Sequence, residues 1–187
     1  MKNLADYLSN RRSALSVTLE EPGPDAATIR AMVTIASRVP DHGKLAPWRF
    51  EVWDSAFRTS LHRDLVASVD DGAEGAAKRR AETDKLLHGP CVIAVISTAA
   101  EHPKIPIWEQ HLSAGASCLA LLMAANAFGF EAQWLTAWYV YAPEAQQILG
   151  LSEGERLAGL IHVGTSGAPK QERDRPDIDT ILTHRKA

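Results

Sequence analysis

Ser-Arg-Val-Pro-Asp-His-Gly-Lys-Leu-Ala-Pro-Trp fills residues 37–48. A second stretch, residues 109–136, opens with Glu-Gln-His-Leu-Ser-Ala-Gly and closes with Gly-Phe-Glu-Ala-Gln-Trp-Leu-Thr. Between those ends it is small and apolar nearly all round. Such a run reads as one long helix, from about Trp108 to Phe128, at the centre of a core or at a subunit interface. Ala114, Gly115, Ala116 and Ser117 would let other backbones approach it closely. Neither stretch carries a nucleophile signature, a metal cage or a catalytic triad.

Working outward, the rest of the chain alternates helices with widely separated strands. Met1 to Ser9 has the apolar spacing of a short amphipathic helix. Asp25 follows a Pro-Gly-Pro turn as an N-cap, and its helix runs to about Arg38, stopping before Pro40. Trp48 to Trp53 alternates like a strand. Residues 54–88 are charged and helical, broken near Asp70-Asp71-Gly72. Cys91 to Ser97 is an apolar, β-branched run, the pattern of a buried strand. Further strands are expected at Glu131 to Thr136 and Leu157 to Val163, with a short helix at Pro143 to Leu149. The tail after Gly164 is charged and Pro-punctuated, with one apolar turn at Ile178, Ile181 and Leu182. This order predicts an α+β fold, a mixed central sheet surrounded by helices, in a single domain over residues 1–187.

The bulk numbers narrow the function. A 187-residue chain that is 45% hydrophobic and 23% charged can bury its own core without disulfides. A net charge of −3 gives no field for nucleic acid, so no nucleic-acid partner is expected. The first residues lack the apolar stretch of a signal peptide. Leu112 to Phe130 is long enough to raise the question of a membrane span. Its Ser113, Ser117 and Asn126, and the absence of flanking Lys or Arg, fit a buried helix better. Cys91 and Cys118 sit in apolar runs and read as buried free thiols of a reducing, cytoplasmic compartment. The seven histidines show no metal-ligand spacing, so no metal is expected.

Several residues carry two readings. Arg11-Arg12-Ser13 either bind a phosphate through forked guanidinium bonds or complement the dipole of the preceding helix. Arg38 and His42, flanking a stiff Val-Pro-Asp, either place charge at a ligand's edge or are ordinary loop residues. Trp108, Trp134, Trp138, Tyr139 and Tyr141 either wall a planar ligand or pack the core. Arg173 and Arg175 are either phosphate ligands or part of a solvated tail.

Taken in order, the motifs resemble the nitroreductase family, in its small single-domain branch. The matching elements are Asn-Arg-Arg-Ser (10–13), Arg-Val-Pro-Asp-His (38–42) with Pro-Trp (47–48), Ile-Pro-Ile-Trp-Glu-Gln (105–110) with Ser-Ala-Gly (113–115), and Gly-Phe-x-x-x-Trp-x-Thr (129–136). The resemblance implies a dimeric, FMN-dependent NAD(P)H oxidoreductase. Hydride would pass from NADH or NADPH through flavin N5 to an electron-poor small molecule such as a nitroaromatic, quinone or enone. It implies that Arg11, Arg12 and Ser13 hold the phosphate and ribityl chain. Arg38 and His42 would come from the other subunit of a homodimer. Trp134, Leu135 and Thr136 would lie by the ring, and the Lys170–Arg175 stretch would approach the phosphate. The flavin carries the chemistry, so no side chain is expected to act as a catalytic nucleophile. Two departures stand out: Leu15 where the family often has arginine, and Ala46 where it often has glutamine. The competing functions are a dedicated flavin-dependent dehydrogenase or flavin reductase, a non-catalytic flavin-binding module for storage or sensing, and a helical interaction protein without cofactor.

Overall fold

The structure, a computed structural model, describes residues 3–186. Its frame is a four-stranded sheet in the order β1-β2-β4-β3, formed by β1 (Trp48–Trp53), β2 (Cys91–Ser97), β3 (Glu131–Leu135) and β4 (Arg156–Gly164). Every residue of β2 is buried. Cys91, Ile93 and Val95 face one helical layer, while Val92, Ala94 and Ile96 face the other. This strand has protein on both faces, which is why its sequence is a continuous apolar run rather than an alternating one.

The sheet corrects one expectation. Its three pairings are all antiparallel, so it is not mixed. The long helix α5 (Ile107–Ala127) does carry the chain from β2 to β3, and those two strands run in the same direction. However, β4 inserts between them and pairs antiparallel with both. Widely spaced strands imply crossovers, but they do not show which later strand will fill the gap.

The two layers differ. On one side α3 (Ser55–Ala67), α6 (Trp138–Tyr141) and α7 (Pro143–Ile148) pack Leu61, Leu65, Tyr139 and Ala145 against β1, β2 and β4. Helix α4 (Ala76–Thr83) adds to this edge, where the Arg79 guanidinium stacks 5.1 Å from the centre of the Trp138 ring. On the other side α5 and α2 (Ala26–Ala36) bury Met32, Cys118, Leu121 and Ala125 against β2, β3 and β4. Asp25 caps α2 by accepting the Thr28 amide at 2.7 Å, as its sequence position predicted. Helix α1 (Leu4–Asn10) lies outside these layers. The expected first helix began at Met1, and its first two residues lie outside the described ones.

Helix α5 buries only half its circumference. Ser113, Ala114, Ser117 and Cys118 are buried, with Ser117 donating to the Ala36 carbonyl of α2 at 3.0 Å. Trp108, Leu112 and Leu119 form a stripe on the opposite side, respectively 69%, 53% and 43% exposed. Gly115 lies between them with open space where a Cβ would stand. Trp108 is therefore no core residue of this chain. Among the described residues, no helix is long and apolar enough to cross a membrane.

Candidate functional site

Strand β3 is a sheet edge, and two chain segments run beside it. The Ala14 amide donates to the Ala132 carbonyl at 3.3 Å, which ties Arg11–Leu15 to the strand. The tail arrives through a two-residue bridge, with Glu20 and Thr165 exchanging both backbone bonds at 2.8 and 2.9 Å. Between these segments lies a cavity of about 420 Å³, large enough for a small organic ligand. Arg11, Arg12, Ser13 and Leu15 line one wall. Lys170, Glu172, Arg173 and Arg175 line the facing wall, and Gln133, Trp134 and Leu135 form the floor.

The cavity is cationic, with five Arg or Lys residues and one acid, Glu172, in its lining. Arg12 is its most fixed donor. Its side chain is 18% exposed, one terminal nitrogen donates to the Arg11 carbonyl at 2.8 Å, and the other faces the Glu172 carboxylate. Its Nε is buried without a partner among the described residues. An orphaned buried guanidinium N–H is costly to leave without an acceptor. Lys170 is paired at 2.6 Å with Glu131, just outside the cavity.

The aromatic floor depends on a glycine. Trp134 pairs with Ile161, and Gly159 is its diagonal neighbour on the same face of β4. The indole lies directly over Gly159, so any Cβ there would overlap it. Its Nε1 donates to the Ala158 carbonyl at 3.2 Å. Ala158 is the extra residue where the β2–β4 register slips, and β3 has already ended opposite Leu160. The indole thus satisfies a carbonyl that the ladder leaves over.

A second constellation lies at the other end of α5. Glu109, in the first turn of the helix, takes a 2.6 Å hydrogen bond from His42 Nδ1. The loop carrying His42 is held in a left-handed course at Gly43, Lys44 and Ala46, with φ of 77°, 57° and 47°. Asp41 holds it there by accepting the Leu45 and Ala46 amides at 3.2 and 2.7 Å. Ser113 Oγ accepts from Trp48 Nε1 and donates to the Pro40 carbonyl, which fastens the loop to α5. The network thus holds Lys44 and Ala46 in a backbone conformation that side chains disfavour.

Of the ten residues expected at a site, the cavity gathers Arg11, Arg12, Ser13, Trp134, Leu135, Arg173 and Arg175. Thr136 follows β3 and is not in the lining. Arg38 and His42 are exposed and away from this cavity within one chain. Gln133 and Glu172 were missed. Gln133 was legible only as an inward position of a strand, because its role is to accept the Ser16 amide and fasten the cationic segment. Burial pushes the Cys91 thiol up to about 11 and that of Cys118 to about 12, so neither is a thiolate at neutral pH.

This fold has known counterparts. The family model described as "Nitroreductase family" matches residues 8–165. A Haemophilus influenzae protein named "Putative NAD(P)H nitroreductase" is 33% identical over 174 residues, covering 92% of this chain and 93% of that one. The chain belongs to the nitroreductase family. Among solved structures, a nitroreductase-like family protein from Bacillus cereus superposes with a TM-score of 0.84 at 20% identity, covering 100% of this chain and 98% of that one. A Bacteroides fragilis nitroreductase with bound FMN superposes at 0.73 and 17% identity over the full length of both chains.

Proposed function

We propose that the protein is an FMN-dependent NAD(P)H oxidoreductase acting on electron-poor small molecules, as a cytoplasmic homodimer whose 187-residue chain is a single unit. The observation that carries this is the cationic cavity beside β3, with a buried, unpartnered Arg12 Nε on one wall and Arg173 and Arg175 on the other. Nitroreductase names among the relatives and the FMN of the Bacteroides fragilis structure support the same reading. FMN, when bound, supplies the hydride relay between reduced nicotinamide and acceptor. The chain's own work is binding and enclosure. Arg11, Arg12, Arg173 and Arg175 hold the phosphate dianion, and the Ser13 hydroxyl adds a donor. Trp134 and Leu135 give the flat ring an apolar floor and keep water from it.

The second copy completes the slot. The exposed stripe of Trp108, Leu112, Gly115 and Leu119 is a face that water does not favour, and its small centre allows close approach. Helix α5 is about 30 Å long. Two such helices packed antiparallel about a twofold axis bring the helix start of one copy, with His42 and Glu109, alongside the helix end of the other, which leads into β3 and the cavity. Arg38 and His42 then serve the neighbour's cavity, placing positive charge and a ring N–H at its open side.

The test is direct. Protein incubated with FMN and desalted should retain a yellow chromophore, have twice the chain mass in solution, and lose its visible band when mixed anaerobically with NADH or NADPH. A colourless product would refute flavin binding. A yellow protein that neither nucleotide bleaches would be a passive binder.

A further inference from the structure

Glu172 holds nothing distant in place, since apart from the cavity arginines its carboxylate accepts only the neighbouring Arg173 amide. It lies on the irregular tail, its side chain is 60% exposed, and its carboxylate faces Arg12 with Arg175 3.9 Å away. The two partners of the Arg12 pair are unequal. The guanidinium is largely buried and tied to the Arg11 carbonyl, while the carboxylate is exposed and its other oxygen accepts only the adjacent Arg173 amide, at 3.0 Å. A fixed cation facing an exposed monoanion is a site that holds its own weak ligand.

We propose that Glu172 is a specificity-determining residue of this cavity. It competes with the phosphate of the flavin for Arg12, and so sets how strongly the phosphorylated flavin is preferred over the unphosphorylated one. The inference rests on the flavin reading above. A phosphate brings more charge and three acceptor oxygens, so it displaces the carboxylate. Riboflavin has no group that does so, and leaves the Arg12–Glu172 pair in place. The pair is part-exposed, so its removal should strengthen FMN binding by about five-fold and no more.

The experiment titrates apoprotein with FMN and with riboflavin, following flavin fluorescence, in the wild-type chain, in Glu172→Gln and in Glu153→Gln as an exposed-charge control. The expected result is an FMN dissociation constant about five-fold lower in Glu172→Gln alone, with riboflavin unchanged. Coincident FMN titrations overturn the proposal, as does an equal gain for riboflavin. Thermal midpoints with and without inorganic phosphate pose the same question without flavin. A larger rise in Glu172→Gln than in wild type supports the competition, and an equal rise overturns it. If neither flavin binds, the cofactor reading fails while the phosphate comparison still decides the role of Glu172.

Discussion

Gly159→Ala asks whether the indole of Trp134 owes its position to one missing methyl group. The three atoms nearest to a Cβ at this position all belong to that indole. Gly159 keeps an ordinary strand conformation, so alanine meets no backbone penalty and the whole effect falls on the ring. A large aromatic side chain offers about 150–250 Å² to burial, and Trp134 is 37% exposed. Some 100–150 Å² is therefore covered, worth at most about 4 kcal/mol at ~25 cal/mol per Å². The bond to the Ala158 carbonyl adds about 1 kcal/mol. The displaced ring resettles partly elsewhere, so the expected loss is about 2–3 kcal/mol. For a chain of this size that is a fall in Tm of roughly 5–10 °C. Urea unfolding of four proteins tests the cause: wild type, Gly159→Ala, Trp134→Ala and the double variant. With the indole gone, Gly159→Ala should be close to neutral, giving a coupling of about 2 kcal/mol. An equal cost in both backgrounds would refute the reasoning, because it would mean that something other than the ring occupies the space.

Three further outcomes follow from the site, the interface and the buried titratable groups. Arg12→Ala should weaken FMN binding by roughly 10- to 100-fold, from the loss of one or two charge-assisted bonds, while changing riboflavin binding little; fluorescence titration reads both. Leu119→Asp puts a charge on the exposed stripe of α5 and should shift the sedimenting mass from two chains to one at unchanged helical circular dichroism. Burial pushes His162 down from 6.5 to about 4, and it pushes His88 down as well. Below pH 6.5 the unfolded chain takes up protons that the folded one refuses. Stability should be full above that pH and fall as pH drops towards 4, and His162→Gln should flatten part of the slope in urea unfolding at pH 7.5, 6 and 5.

The strands were legible because their chemistry is local. Trp48–Trp53 and Cys91–Ser97 have the structural bounds that alternation and β-branching assigned to them. The long helix was equally plain, within a residue at each end. Strand direction was not, since the insertion of β4 between β2 and β3 is a tertiary event with no local trace. At the site, Arg11 and Arg12 stood out by charge, and so did Arg173 and Arg175 of the tail. Glu172 gave no such signal, because an acid among basic residues reads as solvated surface until the fold turns it toward Arg12. Ala46, noted only as a departure from the family pattern, proved to hold a left-handed conformation that its side chain disfavours. The α6 turn was hidden because Trp138, Tyr139 and Tyr141 read as an aromatic patch rather than as a helix.

The exchange of two backbone bonds between Glu20 and Thr165 joins segments that lie 145 residues apart along the chain. Until the later segment is made, Arg11 and Arg12 have no opposite wall. A chain that stopped before Lys170 would keep Arg11 and Arg12 but lose Lys170, Arg173 and Arg175 from the facing wall.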